Sequence, residues 1–138
     1  MRCRDSVKAA DGLVKQGLSF DALNRIYYAC FYAVSALLLS EGHASKKHAG
    51  IAAEFDLHFV IPGRLPRNLG KFYHQMLRAR LQGDYGKPFP GKQLDAADWL
   101  KRAMSFVDRV LIEIPSSIDP IPSSGPELRR DVRKPDVD

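Results

Sequence analysis

An all-α fold, an up-and-down bundle of about five helices, is predicted for this chain on three observations. Apolar residues recur at a 3.6-residue period in five successive segments. Glycine or proline stands at or near the ends of those segments, where helices start or stop. No segment shows the period-two alternation of a half-buried strand.

Arg4–Gln16 is the first predicted helix, with Val7, Ala10, Leu13 and Val14 on one side and Gly17 closing it in a left-handed turn. Ser19 is the expected N-cap of a second helix, Phe20 to about Glu41, stopped by Gly42. Leu23, Ile26, Tyr27, Cys30, Phe31, Val34, Leu37 and Leu38 form its broad apolar face, and Arg25, Tyr28, Tyr32 and Ser35 form a second line. A helix serving only a core would carry Lys, Glu or Gln on that line. Aromatic and hydrogen-bonding groups stand there instead, so something other than water is expected to cover it. Ser45 could cap a third helix, Lys46–Val60, with His48, Ile51, Phe55 and Phe59 sharing a face and Pro62-Gly63 ending it. Pro66 suits the first turn of a fourth, whose stripe is Leu69, Phe72, Tyr73, Met76, Leu77, Arg80 and Leu81, with Gly83 as terminator. The stretch 84–91 is a loop by composition. A fifth helix is expected over Leu94–Ile114 with Ala97, Leu100, Ala103, Met104, Val107, Val110 and Leu111 inward.

The 138 residues fit one helical body, residues 1–114, followed by a tail, 115–138, that holds five of the nine prolines and no aromatic residue. Without the tail's four basic and five acidic groups, the body carries 17 basic and 11 acidic side chains, more basic than the whole chain at +5. That excess favours an anionic partner or an acidic protein, short of the polybasic stripe that by itself marks nucleic-acid binding. Two cysteines exclude a disulfide scaffold; Cys3 is expected at a frayed N-terminus and Cys30 on the apolar stripe of the second helix. No residue set has zinc spacing, and the histidines at 43, 48, 58 and 74 are not paired along the sequence, so no metal or other cofactor is expected. The opening residues lack the apolar core of a signal peptide, and the longest apolar run, broken by Ser35, is read as too short for a bilayer. Cytoplasmic location without membrane association follows as the expectation.

Arg25-x-Tyr27-Tyr28-Ala29-x-Phe31 is followed by Lys47-His48-x-Gly50, then by Phe55-x3-Phe59-x3-Gly63-x-Leu65-Pro66, Leu69-Gly70 and Arg80-x3-Asp84-Tyr85. In this order and spacing the set resembles the HEPN domain, in a branch carrying an arginine-aspartate-tyrosine motif, across roughly Val14–Ile114. The resemblance implies a prokaryotic helical bundle, commonly a homodimer. It also implies pairing with a minimal nucleotidyltransferase in a toxin–antitoxin or nucleotide-handling module that binds nucleotide or RNA. Many HEPN proteins are metal-independent ribonucleases built on an arginine followed four to six residues later by histidine. Here Arg80 is followed by Leu-Gln-Gly-Asp84-Tyr85, and no histidine occurs further along the chain. Cleavage through a 2′-hydroxyl needs a base near neutral pH, and an aspartate with an ordinary pKa of about 4 is a weak one. The alternative function is therefore a ribonuclease toxin in which Arg80 works with a non-standard base.

The candidate residues follow. Arg80 is expected at the inward edge of the fourth helix, needing an acceptor that Asp84 can supply. The pair is either a staple between loop and bundle or a phosphate fork with its orienting carboxylate. Tyr85 is either a lid over the bundle end or, as the resemblance implies, a tyrosine that the partner enzyme modifies with a nucleotidyl group. Arg25, Tyr28 and Tyr32 read as an interhelical hydrogen-bond set, a dimer interface, or a ligand-contacting row. His48 is a core or capping histidine, or a replacement base; Lys47 beside it is a solvated cation or an anion contact. His43, His58 and His74 have no supporting context in the sequence.

Overall fold

The computed structural model describes residues 2–43, 47–84 and 95–115, with side chains described except at 82–84. Ser45, Lys46, Tyr85, most of the 84–91 loop and tail residues 116–138 lie outside the described residues. The described residues form α1 (Arg2–Lys15), α2 (Ser19–Ser40), α3 (His48–Phe55), α4 (Arg67–Asp84) and α5 (Ala96–Ile112), with a π-helical stretch, Asp56–Val60, continuing α3. No strand occurs among them.

α2 is the hub, and every other α-helix packs against it. Its face of Leu23, Ile26, Tyr27, Cys30, Val34, Leu37 and Leu38 is buried as the sequence predicts, with Ala22, Ala29 and Ala33 beside it and Phe31 partly buried. By length and composition α2 could cross a membrane, contrary to the reading that its apolar run is too short. Within the bundle, 61% of its most apolar window is buried, as suits a core helix.

α1 returns to α2 through a tight turn. Leu18 N–H donates to Leu13 O at 2.9 Å and Gly17 N–H to Val14 O at 3.0 Å, with Gly17 at φ +77°. This two-bond closure consumes Leu18 as the residue before α2, so Ser19 is the first helical residue and makes no cap bond. The same device ends α2: His43 N–H donates to Leu38 O at 2.9 Å, Gly42 N–H to Leu39 O at 3.0 Å, and Gly42 sits at φ +83°.

α3 starts beside the middle of α2, with His48 against Tyr27 and Phe31, and runs toward the α2 C-terminus, where His58 meets His43. The chain returns the other way, from Arg64 beside Glu41, three residues before α4, to Arg80 of α4 beside Tyr28. Between α2, α3, α4 and α5 lies an aromatic core in which Tyr73 stacks on Phe106 at 5.9 Å and meets Phe55 edge-on at 5.6 Å.

Five local expectations are corrected. α4 continues through Gly83 to Asp84, since a glycine is tolerated inside a helix at a cost of about 1 kcal/mol. α5 is capped by Asp95, whose carboxylate accepts from Asp98 N–H at 3.4 Å, and it ends at Ile112. Its buried stripe is Ala96, Leu100, Ala103, Phe106, Val107 and Val110, leaving Ala97 and Met104 exposed. Burying Phe106 against three rings sets that rotation. Cys3 is not frayed: it is 1% exposed in α1, packed into the core, and its thiol is pushed up by burial. Leu81, expected inward, is exposed.

Candidate functional site

The middle of α2 places Tyr27 and Tyr28 side by side, one inward and one toward the edge. Tyr27 is buried, and its hydroxyl shares a 2.7 Å hydrogen bond with His48 Nδ1. Burial raises the Tyr27 pKa well above the usual phenol value, with the neighbouring Tyr73 hydroxyl and Arg80 opposing the shift. The phenol therefore stays protonated through the neutral range. His48 lies flat on Phe31, with ring centroids 4.3 Å apart and planes 17° apart, and its edge meets Tyr28. Its orientation is thus set by three residues of one helix.

Arg80 crosses from α4 onto this wall. Its Nη2 donates to the Tyr28 hydroxyl at 3.3 Å, and its guanidinium carbon lies 5.6 Å from the Tyr27 ring and 5.7 Å from the Tyr28 ring. Arg25 approaches Tyr28 as well, at 5.0 Å from the ring centroid. Two guanidiniums thus converge on one phenol, each gaining about 0.5–2 kcal/mol from the ring depending on exposure. Tyr32 continues the row, 5.8 Å from Tyr28, with Arg2 of α1 at 5.4 Å from its ring. Lys47 is exposed at the N-cap of α3, immediately before His48. Ser35, last of the row, has its hydroxyl buried without a hydrogen-bond partner among the described residues.

The structure therefore brings together Arg25, Tyr28, Tyr32, His48 and Arg80, with Lys47 at the rim. Asp84 lies one helical turn beyond Arg80 on α4; its side chain and Tyr85 lie outside the described residues. Three residues of the site were not assigned to it from the sequence. Tyr27 was placed with the apolar face, and a tyrosine among aliphatics gives no sign that its hydroxyl finds a histidine. Phe31, likewise given to the core, serves as the platform for His48. Arg2 lies thirty residues from Tyr32 and joins it only because the α1–α2 turn is tight.

The remaining histidines are not isolated, as the sequence suggested. His74 Nε2 lies 2.6 Å from Asp56 Oδ2, joining α4 to the π stretch. His43 and His58 stack at 3.8 Å beside Glu54. The sequence hides this trio because the turn after α2 and the π stretch, fifteen residues apart, meet only in the fold.

Comparison with known proteins agrees with this architecture. The HEPN domain family profile matches residues 2–113. A Thermotoga maritima protein named "UPF0332 protein" is 41% identical over 109 residues, covering 79% of this chain and 83% of its own length. A Methanocaldococcus jannaschii protein named "Putative toxin MJ0605" is 34% identical over 106 residues, 77% of this chain and 78% of its own. A second protein of that organism, "Putative toxin MJ0142", is 28% identical over 78% of this chain and 74% of its own. No solved structure matches the chain. With its helices packed around the Tyr-Tyr-Ala helix and its family match spanning nearly the whole described body, this chain belongs to the HEPN domain family.

Proposed function

We propose that this HEPN protein is the helical partner of a minimal nucleotidyltransferase in a toxin–antitoxin or nucleotide-handling module, and that the Arg25–Tyr28–Arg80 niche receives a phosphate of nucleotide or RNA. One observation carries the reading: the Arg25 and Arg80 guanidiniums, from two helices, converge on the single phenol of Tyr28. Concentrated positive potential beside stacking rings suits a phosphate with a base attached. Tyr32 with Arg2 extends the aromatic and cationic row, and Lys47 adds charge at its edge. The toxin names of two relatives support a toxin–antitoxin setting.

Catalysis by this chain alone is the second reading, with Arg80 stabilising a phosphorane and His48 in place of the usual base. The Tyr27 bond to Nδ1 weighs against it. If the protonated phenol donates to Nδ1, the neutral ring carries its proton on Nε2 and offers no basic nitrogen until that bond breaks. On the partner reading, Tyr85, directly after α4, is the residue that receives a nucleotidyl group, and a homodimer is the expected assembly.

The purified chain is incubated with single-stranded RNA and EDTA beside an Arg80→Ala control. Intact RNA in both, together with co-purification of a small transferase, is the expected result. Cleavage by the parent and none by the variant would establish the ribonuclease instead. Mass spectrometry after incubation with the transferase and ATP then reads Tyr85, and an unmodified Tyr85 removes the acceptor assignment.

A further inference from the structure

The trio at the end of α2 has its own construction, separate from the Arg80 niche. The two-bond turn that ends α2 fixes the His43 backbone. Glu54 stands in the last turn of α3, and His58 follows it by four residues inside the π stretch. The two imidazoles are near parallel, with centroids 3.8 Å apart and planes 14° apart. Glu54 Oε1 is 3.1 Å from His58 Nε2 and 4.0 Å from His43 Nδ1. One donor atom from each of the three lies within 4.8 Å of the others. All three side chains are about one-third exposed, so the site is walled yet reachable by solvent.

Arg64, which follows the π stretch, is engaged elsewhere. It binds Glu41 through two contacts of 3.0 and 2.6 Å and lies over Phe59 at 4.3 Å. Two imidazole nitrogens and one carboxylate oxygen lie close enough together to be shared by one ion.

We propose that His43, Glu54 and His58 bind a borderline divalent metal ion of the zinc class, with water completing the coordination. Two nitrogens and one oxygen match such an ion better than magnesium or calcium, which prefer all-oxygen sites. Arms of about 2.0–2.2 Å in a tetrahedral set need donors roughly 3.4 Å apart. Binding turns the two rings out of their parallel stack, so that the in-plane nitrogen of each points at the ion. The ion joins the turn after α2 to α3 and its π extension, clamping the two sides of the connection between those helices. π-helical segments are frequent at functional sites, and here the stretch supplies one of the three donors.

The test uses the full-length, untagged chain, stripped with EDTA and titrated with Co²⁺ alone. Binding at one ion per chain with visible d–d absorption, displaced by Zn²⁺ and insensitive to excess Mg²⁺, is expected. His43→Asn, Glu54→Gln and His58→Asn should each weaken Co²⁺ binding at least tenfold while retaining helical circular dichroism. His74→Gln, outside the trio, should bind as the parent does. Absent Co²⁺ binding by the parent, or binding unchanged in both histidine variants, overturns the proposal. Should a trio variant lose its helical signal, Zn²⁺ protection of His43 and His58 from diethylpyrocarbonate in the parent decides: protection of both supports the site, and unchanged modification overturns it.

Discussion

Tyr27 and Tyr73 are both buried, their rings 6.2 Å apart, yet removing their hydroxyls should have opposite effects. Tyr27 spends its hydroxyl on a 2.7 Å bond to His48. Tyr27→Phe deletes that bond inside a half-closed aromatic cage. The expected loss is about 1–2 kcal/mol, a typical net hydrogen bond plus part of the desolvation cost at the bond's site. The Tyr73 hydroxyl, by contrast, is buried near that of Tyr27, an approach that shifts both phenols, but it makes no hydrogen bond of good geometry among the described residues. Its burial already carries a desolvation cost, so Tyr73→Phe should be neutral or stabilising by up to about 1 kcal/mol. Urea unfolding followed by far-ultraviolet circular dichroism resolves the two, provided the m-values match. A Tyr73→Phe protein as destabilised as Tyr27→Phe would refute the assignment of the His48 bond as the difference between them.

Gly12 and Gly70 make a second pair. A methyl at Gly12 meets nothing within 4 Å, so Gly12→Ala in α1 should gain about 0.5–1 kcal/mol of helix propensity. At Gly70 the methyl would stand 3.1 and 3.2 Å from the γ-carbons of Val60, a stiff branched side chain. Gly70→Ala should therefore lose about 1 kcal/mol net, both changes read from thermal melts. Burial raises the pKa values of Cys3, Cys30, Tyr27 and Tyr73 in the fold. In the unfolded chain a thiol ionises near about 8.5 and a phenol near about 10, so stability is full below about pH 8.5 and is lost as pH rises toward the higher folded values. Urea midpoints constant up to pH 10.5 would contradict this. Arg80→Lys keeps the charge and loses the planar fork, so on the proposed reading affinity for single-stranded RNA or ATP, measured by anisotropy or calorimetry, should fall about tenfold, or about 1.4 kcal/mol.

How much of this was legible beforehand differs between backbone and site. Helix positions followed from periodicity and from glycines, because a 3.6-residue stripe and a left-handed stop are local properties. Gly17 and Gly42 end their helices as expected. The rotation of α5 was not local: Phe106 competes with Met104 for the inward face, and only the waiting rings Phe55, Phe72 and Tyr73 decide it. That Arg80 needs an acceptor was readable, because an arginine on an apolar stripe demands company; the sequence offered Asp84, and the fold adds the Tyr28 hydroxyl. Tyr27–His48 and His43–Glu54–His58 were not, since each joins helices or turns whose mutual placement depends on the whole bundle. The π stretch was equally hidden, because its composition is that of the helix it prolongs.

A π segment of this kind amounts to one surplus residue accommodated within a helix. In the stretch Asp56–Val60 the surplus is closed by Ile61 N–H donating to Asp56 O at 2.8 Å. Excising a single position there would let ordinary α-turns reconnect the flanking segments, with the downstream helices staying where they are. The side chain facing Glu54 would nonetheless change, swinging by about 100° around the axis. Length variation at this spot could thus reassign the chemistry of one corner while leaving the scaffold untouched, separating the ancestry of the fold from that of the corner.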